Sequence, residues 1–259
     1  MDNFNPKSDS LSSYLSLAND FNLPIEEKQR YNEKAFAIII NQENDSLNRA
    51  NLFKVANRYY NMNDWKNFKK TIEVVLVKSK SSKDTVFIAK AYSYYGDFYG
   101  SQSVSDSAFL SYYKAEKMYS KLNDNYNLGR TLLNKALLQF NESDFLGSEK
   151  AVFNALRVVK NDKVTDIVYD ANNLLGIVYN ELEEYDKAIE FHTKALESLD
   201  EIIIPQEFQS KATSLNNIGY VYQNLQNYKE AKKYFQQGLE EKNLSRDKPS
   251  LYAMLLDNL

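Results

Sequence analysis

Apolar residues along this chain recur three and four positions apart, the spacing that lines up one face of an α-helix. In "YDANNLLGIVYNEL", Leu174, Leu175, Val178 and Leu182 make one such face. In "YDKAIEFHTKALESL", Ala188, Ile189, Ala195, Leu196 and Leu199 make another. The pattern predicts helices near 8–20, 25–41, 45–61, 64–80, 84–100, 106–121, 125–141, 144–160, 164–181, 184–201, 206–223 and 227–242. Only 7 Gly and 4 Pro interrupt them, which suits long helices joined by short turns.

The helices repeat in pairs. "ANNLLGIVYNELEEYDKAIEFHTKAL", from Ala171 to Leu196, recurs as "ATSLNNIGYVYQNLQNYKEAKKYFQQGL", from Ala212 to Leu239. Each copy has a small anchor (Gly176, Gly219), an aromatic residue three on (Tyr179, Tyr222), a second aromatic (Tyr185, Tyr228) and another small residue (Ala188, Ala231). Sliding the frame back places Ala136, Gly96 and Ala56 at the anchor, and Ser16 at a sixth, degenerate one. The pairs then span 8–41, 45–80, 84–121, 125–160, 164–201 and 206–242. The loosest turn is expected in "YGSQSVSDS", where Ser105 replaces an aromatic residue. Extra residues between the last two frames are assigned to "DEIIIPQEF", with Pro205 opening the next helix. One hairpin cannot bury both of its apolar faces, whereas stacked neighbours can.

This pattern resembles the tetratricopeptide repeat, in a variety longer than the usual period of about 34 residues. The motif positions are carried by Gly176, Tyr179, Ala188 and Ala195, and by Gly219, Tyr222, Ala231 and Gly238. Gln139 at an aromatic position, Phe68 at a small one and His192 at an aromatic one depart from it. The resemblance implies an all-α fold, a right-handed superhelical solenoid of antiparallel helix pairs forming one domain over 1–259. It also implies a binding surface lined by the first helix of each pair, flanking the anchor. Carried onto this sequence, that surface comprises Asn57 and Tyr60; Lys90, Ser93 and Asp97; Arg130, Asn134 and Leu137; Asn173, Ile177 and Asn180; and Asn216, Tyr220, Gln223 and Asn224. An amide offers both donor and acceptor, so an asparagine-lined groove can hold the backbone of a protein segment or extended peptide. The plainer reading is that "NNLG" and "NNIG" are how this repeat is spelled. The lysine–asparagine–arginine clamp of chaperone-binding repeats is not reproduced, which disfavours chaperone tails.

Charge and composition narrow the field. Lys and Arg are mixed among Asp and Glu, the net charge is −3 and no basic stripe stands out, so no nucleic-acid partner is expected. No run approaches the roughly 18 apolar residues of a membrane span, so no membrane contact is expected through this chain. Cys is absent, which removes disulfides, thiolate metal sites and cysteine nucleophiles. Neither HExxH nor a phosphate-binding glycine motif occurs, and no catalytic residue, metal ligand or cofactor site is assigned. The single His192 reads as a packing residue, Glu183–Glu184 as a solvated turn, and Lys66, Lys69 and Lys70 as an exposed helix face.

The last stretch, 247–259, reads as the first helix of a further repeat, opened by Pro249 and cut before its anchor. Its Leu251, Met254, Leu255, Leu256 and Leu259 offer a surface for self-association. Arrays with the "LYAMLLDNL" and "SLNNIGYVYQNL" phrasing resemble the sensor regions of bacterial membrane-anchored histidine kinases, and arrays preceding helix-turn-helix regulators. The resemblance implies a non-enzymatic input module, outside the cytoplasm in the kinase case. A structural scaffold and a cytoplasmic peptide-pheromone receptor are the alternatives.

Overall fold

The computed structural model describes residues 10–20, 22–199 and 209–259. Its contacts divide the chain into two compact units, one ending at Asn123 and the other beginning at Asp124. The described residues hold helices and turns and no strand.

The first unit contains α1 (Leu11–Leu17), α2 (Ile25–Ile40), α3 (Ser46–Asn61), α4 (Trp65–Ser81), α5 (Thr85–Ser101) and α6 (Ser105–Leu122). The second contains α7 (Asn125–Asn141), α8 (Phe145–Val158), α9 (Thr165–Glu181), α10 (Tyr185–Ser198), α11 (Lys211–Asn224), α12 (Tyr228–Leu239), α13 (Leu244–Asp247) and α14 (Pro249–Asp257). Within each unit the helices pack as antiparallel hairpins, odd-numbered with the even-numbered one that follows, and α14 lies on α11 and α12. Each unit is thus a solenoid stack of helix pairs. The insertion assigned to "DEIIIPQEF" and the helix start at Pro205 fall on 200–208, outside the described residues; the helix is seen from Lys211.

One turn is used again and again. Asn63, Lys83, Ser103, Asn123, Ser143, Glu183 and Gln226 all adopt positive φ, ending a helix in the left-handed conformation. In most of these turns the next amide bonds a carbonyl five residues back, as Asp64 N–H does to Tyr59 O (2.9 Å) and Glu184 N–H to Tyr179 O (2.9 Å). The same residue then caps the following helix: the Asp64, Asp84, Asp124 and Asp144 carboxylates accept the amides of Asn67, Phe87, Asn127 and Gly147. Aspartate therefore marks a step of half a repeat. The turn expected to be loosest closes like the others. Ser103 has φ 56° and Val104 N–H reaches Tyr99 O at 2.9 Å. Val104 lacks only the side-chain cap, because valine carries no acceptor, and the turn is held by its backbone.

The anchors explain the interior of the hairpins. A Cβ on Gly176 would come within 2.6 Å of the His192 ring, and one on Gly219 within 2.5 Å of Phe235. A Cβ on Gly96 would run into Tyr112 in the same way. In all three the ring belongs to the residue sixteen positions on. Where the anchor is Ala56 or Ala136, that residue is the smaller Ile72 or Val152, and all four are fully buried. Anchor and partner exchange volume, as dense packing demands. Phe68, at a position held elsewhere by Ala or Ser, is fully buried among Tyr60, Trp65, Tyr94 and Phe98.

Candidate binding face of the first helices

In the second unit, α9 adjoins α7 and α11, and α14 adjoins α11, so the first helices of successive pairs lie side by side. Polar side chains stitch them together. Arg130 of α7 forms ion pairs with Asp166 and Asp170 of α9, the first at 2.6 Å. Gln209 bonds Asp170 at 2.9 Å, and the Tyr126 hydroxyl donates to Asp166 at 3.0 Å. Burial acts to lower the Arg130 pKa, but the Asp170 carboxylate and the Tyr126 hydroxyl outweigh it and leave the value raised. A charged group half-withdrawn from water is held here by two aspartates.

The asparagines form a ladder. Asn217 Nδ2 donates to Asn173 Oδ1 (2.8 Å), Asn224 Nδ2 to Asn180 Oδ1 (2.9 Å) and Asn258 Nδ2 to Asn216 Oδ1 (3.1 Å). Each bond joins one position of a first helix to the next position of the helix that follows in the repeat frame. Asn216 also donates to the Met254 sulfur at 3.6 Å. Asn180 and Asn216 are buried and Asn173 is half-buried. Asn217 and Asn258 were not assigned from the sequence, yet the doubled "NN" before the anchor, and "DN" near the end, were the signal for them.

Asn173 Oδ1 has a second donor, His192 Nδ1 at 3.1 Å, which assigns the proton of the neutral ring to Nδ1. His192 is 2% exposed, and burial lowers its pKa to about 4. Leu137 of α7 and Tyr220 of α11 are exposed at 49% and 48%. Asn134, Ile177 and Gln223 are half-buried, and Asn224 projects into solvent beyond its ladder bond.

In the first unit, Asn57 and Tyr60 are exposed, and the Tyr60 ring meets Trp65 edge-on with centroids 5.3 Å apart. Lys90 lies 4.9 Å above the Phe53 ring and 5.9 Å above Tyr94, and burial lowers its pKa. Asp97 accepts from the Tyr112 hydroxyl at 2.8 Å, a bond within the α5–α6 hairpin. Ser93 is half-buried on the same helix. Among the described residues no group of three or more His, Cys, Asp or Glu could hold a metal ion, and no helix is long and apolar enough to cross a membrane.

Residues 168–240 match the family model of the tetratricopeptide repeat. No curated protein sequence matches the chain. Solved structures share its fold at low identity. BtubC from P. vanneervenii is 17% identical with a TM-score of 0.64, over 88% of this chain and 89% of that one. The quorum sensor NprR from B. thuringiensis is 13% identical with a TM-score of 0.70, over 95% of this chain and 66% of that one. A signal transduction ATPase with a tetratricopeptide repeat sensor, from Pyrococcus horikoshii, is 16% identical with a TM-score of 0.70. The match covers 97% of this chain but only 39% of that ATPase. NprR is also known in complex with its cognate peptide NprX.

Proposed function

Starting from a chain built of tetratricopeptide repeats, we propose that the second unit binds an extended peptide or protein segment across α7, α9 and α11, as the input region of a signalling protein. The observation that carries this reading is the arrangement of Leu137 and Tyr220, exposed, with Ile177 and Gln223, half-exposed, on adjoining first helices, of which α9 and α11 are joined by paired amides. Apolar contacts would supply affinity and the amides would meet a ligand backbone. The peptide complex of NprR, a protein of similar fold, supports peptide as the ligand class.

The ladder bonds shape the prediction. Asn173, Asn180 and Asn216 each commit their carbonyl oxygen to a neighbouring helix. The exposed side chains left for a ligand are therefore Tyr220, Leu137 and Asn224, with Gln223 half-exposed between the two on α11. Peptides selected on the immobilised chain from a displayed library are expected to lose about tenfold or more in affinity on Tyr220→Ala. Binding unchanged by Tyr220→Ala and by Gln223→Ala would sink the assignment. The signalling role has a separate test in the reading frame past Leu259: a kinase or DNA-binding domain supports it, and an immediate stop refutes it.

A second reading, a rigid adaptor between proteins, is favoured by that same interhelical bonding. It predicts capture of folded proteins and none of short peptides.

A further inference from the structure

Arg58 on α3 has a buried Nε and Nη1 with no hydrogen-bond partner. The other arginines withdrawn from solvent are matched: Arg49 by Asp84 at 2.8 Å, and Arg130 by its two aspartates. Among the described residues Arg58 has no ion pair. Burial lowers its pKa, and no acidic group counters that effect. An uncompensated cation withdrawn from water is costly, so a partner is expected.

Arg58 lines a cavity of about 580 Å³ together with Lys54, Ser12, Leu15, Ser16, Asn19 and Asp20. Lys54 sits one turn before Arg58 on the same face of α3, and like charges at that spacing repel. An anion between them relieves both penalties. Across the cavity, Ser12 and Ser16 stand one turn apart on α1; the Ser12 hydroxyl pairs with that of Ser10 (3.0 Å), and Ser16 adds a second hydroxyl to the lining. Asp20 does not fill the gap. Its Oδ1 is taken up by the Asn22 amide (2.9 Å) and Nδ2 (3.0 Å) within its own turn.

We propose that this cavity between α1 and α3 is a binding site for a carboxylate-bearing ligand, held by the Arg58 guanidinium and by Lys54. The planar fork of Arg58 suits a carboxylate. The nearby Asp20 carboxylate opposes a second negative charge beside the fork, which dianionic phosphate carries on one centre and a carboxylate group does not. The volume accommodates more than a bare ion, so the carboxylate belongs to an acidic side chain of a protein segment or to a small free dicarboxylate. The site lies in the first unit and does not rest on the peptide reading of the second.

The test is a titration of the isotopically labelled full chain, followed by NMR, with three probes. N-acetylglutamate amide presents an acidic side chain with blocked ends, glutarate presents a free dicarboxylate, and inorganic phosphate is the comparison. Saturable shifts are expected with at least one of the two carboxylates, and the tighter of them identifies the source. Arg58→Gln is expected to weaken that binding about tenfold, and Lys54→Gln about threefold. In the absence of ligand, Arg58→Gln is expected to leave the melting temperature unchanged or raise it, because an unpaired charge is removed. The proposal fails if neither carboxylate binds saturably, or if phosphate binds more tightly than both. It fails equally if Lys54→Gln and Arg58→Gln leave binding unchanged, or if Arg58→Gln lowers the melting temperature of the free protein by several degrees.

Discussion

Replacing His192 with Phe tests the packing logic and the electrostatics of the hairpin together. His192 stacks on Gly176, where Phe235 stacks on Gly219 in the next repeat, so the slot already accepts a phenyl ring. At pH 7.5 the substitution removes one hydrogen bond to Asn173, which keeps its bond from Asn217. The expected cost is about 1 kcal/mol or less. Acid changes the comparison. The folded state holds the ring neutral down to about pH 4, whereas in the unfolded chain it takes up a proton near the ordinary value of about 6.5. Between those values the unfolded state binds more protons, so stability is complete above about pH 6.5 and falls as the pH drops towards 4. At about 1.4 kcal/mol per pH unit, the loss by pH 5 is about 2 kcal/mol. Urea denaturation of both proteins at pH 7.5 and pH 5 isolates it, because the carboxylates contribute equally to the two. The wild type is expected to lose about 2 kcal/mol more than His192→Phe over that interval. Equal losses would mean that His192 is solvated, or protonated in the fold, and would refute the argument.

Other substitutions probe single devices of the repeat. Gly176→Leu drives a side chain into the His192 ring and is expected to destabilise by about 1–3 kcal/mol or more, read by thermal melting; an unchanged melting temperature would refute the anchor assignment. Lys83→Gly relieves a left-handed residue (φ 55°) and is expected to stabilise by about 1 kcal/mol in urea titrations; a loss of stability would refute the left-handed turn. A double-mutant cycle of Asn216→Ala and Asn258→Ala is expected to give a coupling of about 0.5–1 kcal/mol, and additivity would mean that the ladder bond is absent. Asp144→Ala removes the cap on the Gly147 amide and is expected to cost about 1 kcal/mol in the same assay.

The helices were legible because their signals are local. Apolar spacing of three and four reports a helix face without reference to anything distant. The small anchors at Ala56, Gly96, Ala136, Gly176 and Gly219 set the repeat frame, and their burial follows from it. Aspartate at the helix starts carries a further local signal, the capped turn at half the repeat. The closure of the "YGSQSVSDS" turn was not legible from side chains, since its hydrogen bonds are made by backbone.

The candidate faces divide differently. By itself the sequence determined which residues flank each anchor, and so which helix turns stand at the surface between hairpins. It did not determine what those side chains touch. Asparagines at −3 and −2 from an anchor look like peptide readers until the next helix is set beside them. Stacking then brings residues 42 or 44 positions apart within hydrogen-bond reach, and their amides meet one another. In the same way Arg130 finds its aspartates, while Arg58 finds no acid. Periodicity along one helix follows from local geometry, but the partner of a polar side chain is set by the register between helices. That register is decided only when anchor and ring pack together in three dimensions.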